Sequence, residues 1–252
     1  MTVGRGLGLV LLCQGLLACS GGTPKDPNER SATELYVLKG VQYMEAGRLD
    51  VAQRDLQHAI ELDDRSVEAH NAMGVLQERL GQPAQAEEQF KRALSLDAGN
   101  TDAAVNYGRV LCAQGKYEQA MKNFRMAVDS KLYNSPWLAL TNAGICAKAQ
   151  GQGAEAEGYL RKAVDANPNF APALLEMAKL SEDNGSHLSA RAFLQRFEAA
   201  VTQPTAESLA LGIQIEQAMG NGKDANAYLK KLQRLFPESK EATAYRRLRS
   251  AH

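Results

Sequence analysis

Residues 71–100 read NAMGVLQERLGQPAQAEEQFKRALSLDAGN. Gly74 and Ala86 stand 12 positions apart, on either side of a turn marked by Gly81. The large apolar residues Met73, Phe90 and Leu94 recur at helical spacings, as one face of a 3.6-residue period requires. The stretch therefore predicts two antiparallel helices, with Gly74 set against Ala86 so that the backbones approach closely. Leucine in place of Ala86 or Ala120 would overpack such a hairpin by about 1–3 kcal/mol.

The pattern then repeats in both directions. Gly40, Gly74 and Gly108 are 34 residues apart, Gly144 follows after 36, and Ala178 and Gly212 after 34 more each. Ala52, Ala86, Ala120, Ala156, Ala190 and Ala225 keep the same phase, and Gly47, Gly81, Gly115, Gly151 and Gly185 mark the turns between the two series. A fixed period of this length is the signature of a stacked repeat. Six units follow: 33–66, 67–100, 101–134, 137–170, 171–204 and 205–239. The fifth has Phe197 where alanine is usual, and the sixth has an extra residue in its turn, AMGNGKD. The succession Gly74, Gly81, Ala86, Phe90, Ala93 resembles the tetratricopeptide repeat. The expected fold is all-α, a superhelix of about six helix–turn–helix units. Residues 240–252, with Tyr245 and Leu248 among basic residues, form a capping helix and tail that cover the last apolar face.

Composition excludes several functions. The chain has 29 Lys and Arg against 29 Asp and Glu, and no basic face is evident of the kind nucleic acid needs. His58, His70, His187 and His252 are scattered, with no metal-ligand spacing and no nucleophile or phosphate-loop motif. No cofactor, metal or small-molecule substrate is expected, and the chain reads as a binding protein rather than an enzyme.

Tetratricopeptide stacks curve so that the first helix of each unit lines a concave groove. By that resemblance the groove presents Val41, Met44, Val75, Arg109, Ile145, Lys148, Lys179 and Ile213, a mostly apolar floor with some positive charge. It would suit an extended or amphipathic peptide, unless these residues serve only to pack neighbouring repeats. Asn106 and Asn142 sit where some members hold a carboxylate, but the accompanying lysines are missing. Between units three and four, SKLYNSPW adds two residues. This is either a tolerated surface insertion or a break whose Tyr133 and Trp137 make a contact. Cys112 and Cys146 fall on the first helices of adjacent units at similar heights. A disulfide between them is open, while the position of Cys146, where a small buried residue is usual, favours a free buried thiol.

The amino terminus adds a location. After MTVGR, residues 6–17 are apolar or small save Gln14, about a dozen residues against the ~20 of a spanning helix. Leu16-Leu17-Ala18-Cys19 resembles the bacterial lipobox. It implies a signal peptide over 1–18, acylation of Cys19, and a flexible tether over 19–32. Ser20 is compatible with the outer membrane. The lipobox, the tether and the stretches LYNSPWLALTNAGICA, APALLEMAKL and ESLALGIQIEQA together resemble the type IV pilus biogenesis and stability lipoproteins, the pilotins of the pilus secretin. That resemblance implies a protein on the inner leaflet of the outer membrane, facing the periplasm. It would bind secretin subunits and promote their localisation and multimerisation. The alternative is a general envelope scaffold holding a peptidoglycan enzyme or an outer-membrane assembly component.

Overall fold

The structure is a computed structural model that describes residues 27–250. Among the described residues there are thirteen helices and no strands. They pair as α1 (Pro27–Glu45) with α2 (Leu49–Leu62), α3 (Val67–Arg79) with α4 (Pro83–Leu96), and α5 (Thr101–Ala113) with α6 (Tyr117–Asp129). The series continues with α7 (Pro136–Ala149) and α8 (Gly153–Ala166), α9 (Ala171–Asp183) and α10 (His187–Ala200), and α11 (Ala206–Ala218) and α12 (Gly222–Leu235). A final helix, α13 (Lys240–Ser250), closes the series. The all-α repeat superhelix expected from the period is the observed fold. One boundary shifts: α1 starts at Pro27, inside the segment read as tether.

Each hairpin turns on a glycine. Gly47, Gly81, Gly115, Gly151 and Gly185 have φ between 71° and 83°, a left-handed conformation that costs other residues a Cβ clash. In the second unit Gly81 N donates to the Glu78 carbonyl and Gln82 N to the Gln77 carbonyl, at 3.0 and 2.9 Å. This paired closure ends the helix without stranding its last carbonyls. The sixth unit uses Gly220 in the same way, at φ 74°.

The close approach inside each hairpin is tightest one turn beyond the alanine. Gly74 lies under the ring of Phe90, one turn past Ala86 along α4, while a Cβ on Gly40 or Gly144 would also lie 3.4 or 3.2 Å from the carbonyl oxygen of Ala52 or Ala156. A Cβ on Gly74 would come within 2.6 Å of that ring. Gly108 stands in the same relation to Phe124, and Gly212 to Tyr228, whereas Gly40 and Gly144 meet Leu56 and Leu160. Ala86, Ala120 and Ala156 are fully buried, and they let the second helix lie close.

Consecutive first helices touch one another, from α1·α3 through α9·α11, while no second helix touches the next second helix. The first helices therefore converge on the inner, concave side and the second helices splay outward. The largest apolar cluster runs from Leu140 of α7 to Ile215 of α11 and takes in Phe197, which is buried there. At the carboxyl end α13 packs on α11 and α12, burying Leu209, Ile213, Leu232 and its own Ala242.

Candidate binding groove

The inner faces of α1 and α3 enclose a recess of about 370 Å³. Its floor is apolar, built by Val37 and Val41 of α1 and Ala72 and Val75 of α3. Glu68, Asn71, Arg79 and Asp102 form a polar rim. The two helices are tied together by Arg79, whose Nη1 donates to the Met44 carbonyl at 2.8 Å. Asn106 Nδ2 donates to Asn71 Oδ1 at 3.0 Å, linking α5 to the same rim.

The apolar surface continues onto the outer side of α1 through Leu38 and Leu35, which are 55% and 49% exposed. In the next four units the position of Leu35 is taken by Ala69, Ala103, Ala139 and Ala173, all fully buried against the preceding repeat. No repeat precedes α1 among the described residues, so its leucines stay open. The repeat register carried this signal, a leucine in an alanine series, and reading the groove positions alone missed it.

Of the expected groove residues, Val41, Val75 and Ile145 line the inner face, Ile145 being 39% exposed. Met44, 4% exposed, lines the recess beside Val41. Ile213 belongs elsewhere: it is 1% exposed because α13 covers it.

The expected free positive charges are also absent, since every one is spent on an ion pair. Arg109 grips Glu78 of α3 with two hydrogen bonds, of 2.9 and 2.5 Å. Lys148 pairs with Asp183 of α9 at 2.6 Å, and Lys179 with Glu207 of α11 at 2.8 Å and Glu176 at 2.6 Å. Burial pulls the Lys179 ammonium down, but its two carboxylates outweigh this and hold its pKa above the ordinary value. Apart from Lys179–Glu176 within α9, these pairs run from one first helix to the next. The groove is therefore electrically balanced, with apolar contact as its main offer.

Outside the groove, Cys112 and Cys146 are disulfide-bonded, with Cα atoms 5.7 Å apart, where the sequence favours a free thiol. The bridge joins α5 to α7. The two-residue insertion lies at the other end of α7, before and at Pro136. Tyr133 packs inward against the cluster of Val105, Ala127 and Ala139, and Trp137 against the large cluster. Burial, with the charge of Asp102 second, pushes the Tyr133 phenol up to about 12. The outward residue is Leu132, 90% exposed.

Structural ion pairs hold two carboxyl groups below their ordinary range. Glu87 of α4 is held by Lys91 at 2.7 Å and by Lys116 at 3.1 Å. The hydrogen bond from Lys91 is the main cause of its carboxyl falling to about 2. Glu216 of α11, buried, is gripped by Arg191 of α10 and accepts from Asn221 at 3.0 Å; the Arg191 contact chiefly holds its pKa below the usual carboxylate range. His70 is similarly structural, its ring nitrogens 2.7 Å from Gln89 Oε1 and 3.0 Å from the Asp64 carbonyl. Among the described residues no group of His, Cys, Asp and Glu could hold a metal ion, and no helix is long and apolar enough to cross a membrane. Cys19 and the leader lie outside the described residues.

Known proteins share this arrangement. Sequence models for the tetratricopeptide repeat match residues 37–100, 80–140 and 141–203. Over 246 residues the chain is 30% identical to the type IV pilus assembly protein PilF of Pseudomonas aeruginosa, covering 96% of this chain and 97% of that protein. The chain belongs to the tetratricopeptide-repeat proteins of type IV pilus biogenesis. The solved structure of Pseudomonas aeruginosa PilF superposes with a TM-score of 0.72 at 29% identity, over 87% of this chain and 98% of that one. PilW, described as a widely conserved type IV pilus biogenesis factor, gives 0.76 at 28% identity, over 88% and 99%. The Cut9–Hcn1 complex, at 14% identity, shares the fold alone. Membership in this pilus family brings a role in type IV pilus biogenesis and a scaffold generally used for protein–protein interaction.

One feature of this family member contradicts the charge argument made from composition. Helix α12 sets Lys223, Lys230 and Arg234 along one exposed face. A basic face therefore exists, hidden in the sequence by an even overall balance.

Proposed function

We propose that this protein is an outer-membrane lipoprotein adaptor, anchored through acyl chains on Cys19 and facing the periplasm. It holds subunits of the type IV pilus secretin, promotes their localisation and multimerisation, and catalyses no reaction itself. The observation that carries the reading is the open apolar recess between α1 and α3, extended by Leu38 and Leu35 at the free end of the stack. A soluble domain rarely leaves such a surface uncovered without a partner for it.

The chemistry of the groove narrows the partner segment. Arg109, Lys148 and Lys179 are already matched by carboxylates, so an acidic peptide gains little there. An amphipathic helix laying an apolar face on Val37, Val41 and Val75 gains the full burial, about 25 cal/mol per Å² of apolar surface. Confinement on a membrane by a short tether then raises the local concentration of captured subunits, which favours ring closure over misassembly. The near full-length likeness to PilF supports this reading over a general envelope scaffold.

The test separates anchor from groove. Cys19→Ala should leave a folded repeat domain but deplete secretin multimers from the outer-membrane fraction. Val41→Glu combined with Val75→Glu should leave an anchored, helical protein that no longer co-purifies with secretin subunits. Parental levels of detergent-resistant secretin multimers in both strains would overturn the proposal.

A further inference from the structure

The chain as a whole is neutral, yet residues 222–250 hold eight Lys and Arg against three Asp and Glu. Most of that excess is concentrated by geometry on one helix. At 3.6 residues per turn, Lys223, Lys230 and Arg234 of α12 fall on a single line, with Lys231 about a quarter turn to one side. The opposite face carries Ala225, Leu229 and Leu232, which pack into the cluster formed with α11 and α13. The basic line therefore points outward, and all four side chains are exposed.

Elsewhere on the outer side several cations come with their own anions, although Lys122 of α6 and Lys162 of α8, both exposed, have no ion pair among the described residues. Arg54 pairs with Asp50 on α2, Lys91 with Glu87 on α4, and Arg161 with Glu157 on α8. Among the described residues no ion pair engages Lys223, Lys230 or Arg234, while the Lys231 ammonium rests 5.9 Å from the centre of the Tyr228 ring. Arg246 and Arg247 of α13 add further exposed basic groups.

We propose that the outer face of α12 is a docking surface for the anionic headgroups of phospholipids. The row is made of long, unpinned side chains, with no cleft between them to fix a ligand. This suits the diffuse charge of a headgroup plane better than the fixed register of an acidic peptide. The choice of phospholipid among polyanions rests on the acylated Cys19 reading, because that anchor would hold the stack against a membrane. Cys19 lies eight residues before α1, and α12 lies in the sixth repeat. Docking at both places holds the stack by its two ends. The splayed second helices then face the lipid, and the groove of first helices opens into the periplasm, free for a partner.

The test uses the chain from Ser20 onward, which keeps all thirteen helices and lacks the acylation site. It is sedimented with vesicles of phosphatidylethanolamine and phosphatidylglycerol, and in parallel with phosphatidylcholine vesicles. Retention by the anionic vesicles alone is expected, with loss at about 0.5 M salt as charges are screened. The variant Lys223→Gln, Lys230→Gln, Arg234→Gln should bind on the order of a hundredfold more weakly, with its circular dichroism unchanged because the residues are exposed. Equal retention by neutral vesicles, or undiminished binding of the triple variant, would overturn the proposal. So would capture by polyglutamate or a DNA oligonucleotide when anionic vesicles do not retain the protein. The assay contains neither secretin nor acyl chain, so its failure leaves the adaptor reading standing, and failure of that reading leaves vesicle binding to be measured on its own.

Discussion

A glycine packed under an aromatic ring sets how near the two helices of a repeat can lie. At Gly108 a Cβ would fall 2.6 Å from a ring carbon of Phe124, and the flat ring, fully walled in, has little room to withdraw. At Gly144 the neighbour is Leu160, a branched side chain with other rotamers, and the equivalent place in the fifth unit is natively Ala178 against Leu194. Gly108→Ala should therefore cost about 1–3 kcal/mol, and Gly144→Ala less, as read from paired denaturant midpoints; equal losses would mean that the ring is not the obstacle. A second prediction concerns Glu87. Its carboxyl is held near 2 in the fold against about 4.3 in an unfolded chain. A depressed carboxyl stabilises above its unfolded value and loses that contribution as pH falls towards the folded one. The stability gap between parent and Glu87→Gln should be full at neutral pH and close between about pH 4 and pH 2, in thermal melts across that range. A gap indifferent to pH would contradict the Lys91–Glu87–Lys116 arrangement.

Between elements, the disulfide from α5 to α7 spans 34 positions. Closing a loop of that length in the unfolded chain is worth about 3–4 kcal/mol in the chain-entropy account. Reduced and oxidised protein should differ by that order in chemical unfolding, with the native helical spectrum unchanged; identical midpoints would show that the bridge adds nothing. The cross-repeat pairs Arg109–Glu78 and Lys148–Asp183 are partly exposed and contribute little each. Their effect is on the charge of the groove. Arg109→Met together with Glu78→Leu should leave the fold intact while changing the salt dependence of partner binding only slightly.

Across the whole molecule the stack has unlike ends. At one, α13 buries Ile213 and Leu209; at the other, Leu35 and Leu38 remain open. Repeat stacks hold together through neighbour contacts, so damage at one end stays near that end. Truncation before Ser239 should loosen the sixth repeat, raise hydrogen exchange in α11 and α12, and promote self-association by light scattering, while α1–α8 stay protected. Uniform loss of protection would mean that the stack unfolds as one body.

The period of 34 residues determined the fold without coordinates, because a small residue is required wherever two helices cross closely and that requirement recurs at every crossing. Turn glycines were legible for the same reason: a positive φ leaves a mark in residue type at one position. Which side chains remain open was decided only in three dimensions. Ile213 and Leu38 are alike as letters, and only the presence of α13 over one and the lack of a preceding repeat over the other separates them. Charge followed the same rule. Lys148 and Lys230 read identically along the chain, but a carboxylate on the next helix neutralises the first and nothing among the described residues pairs with the second. Exposure and net field are sums over neighbours distant in sequence, and only the folded packing brings those neighbours together.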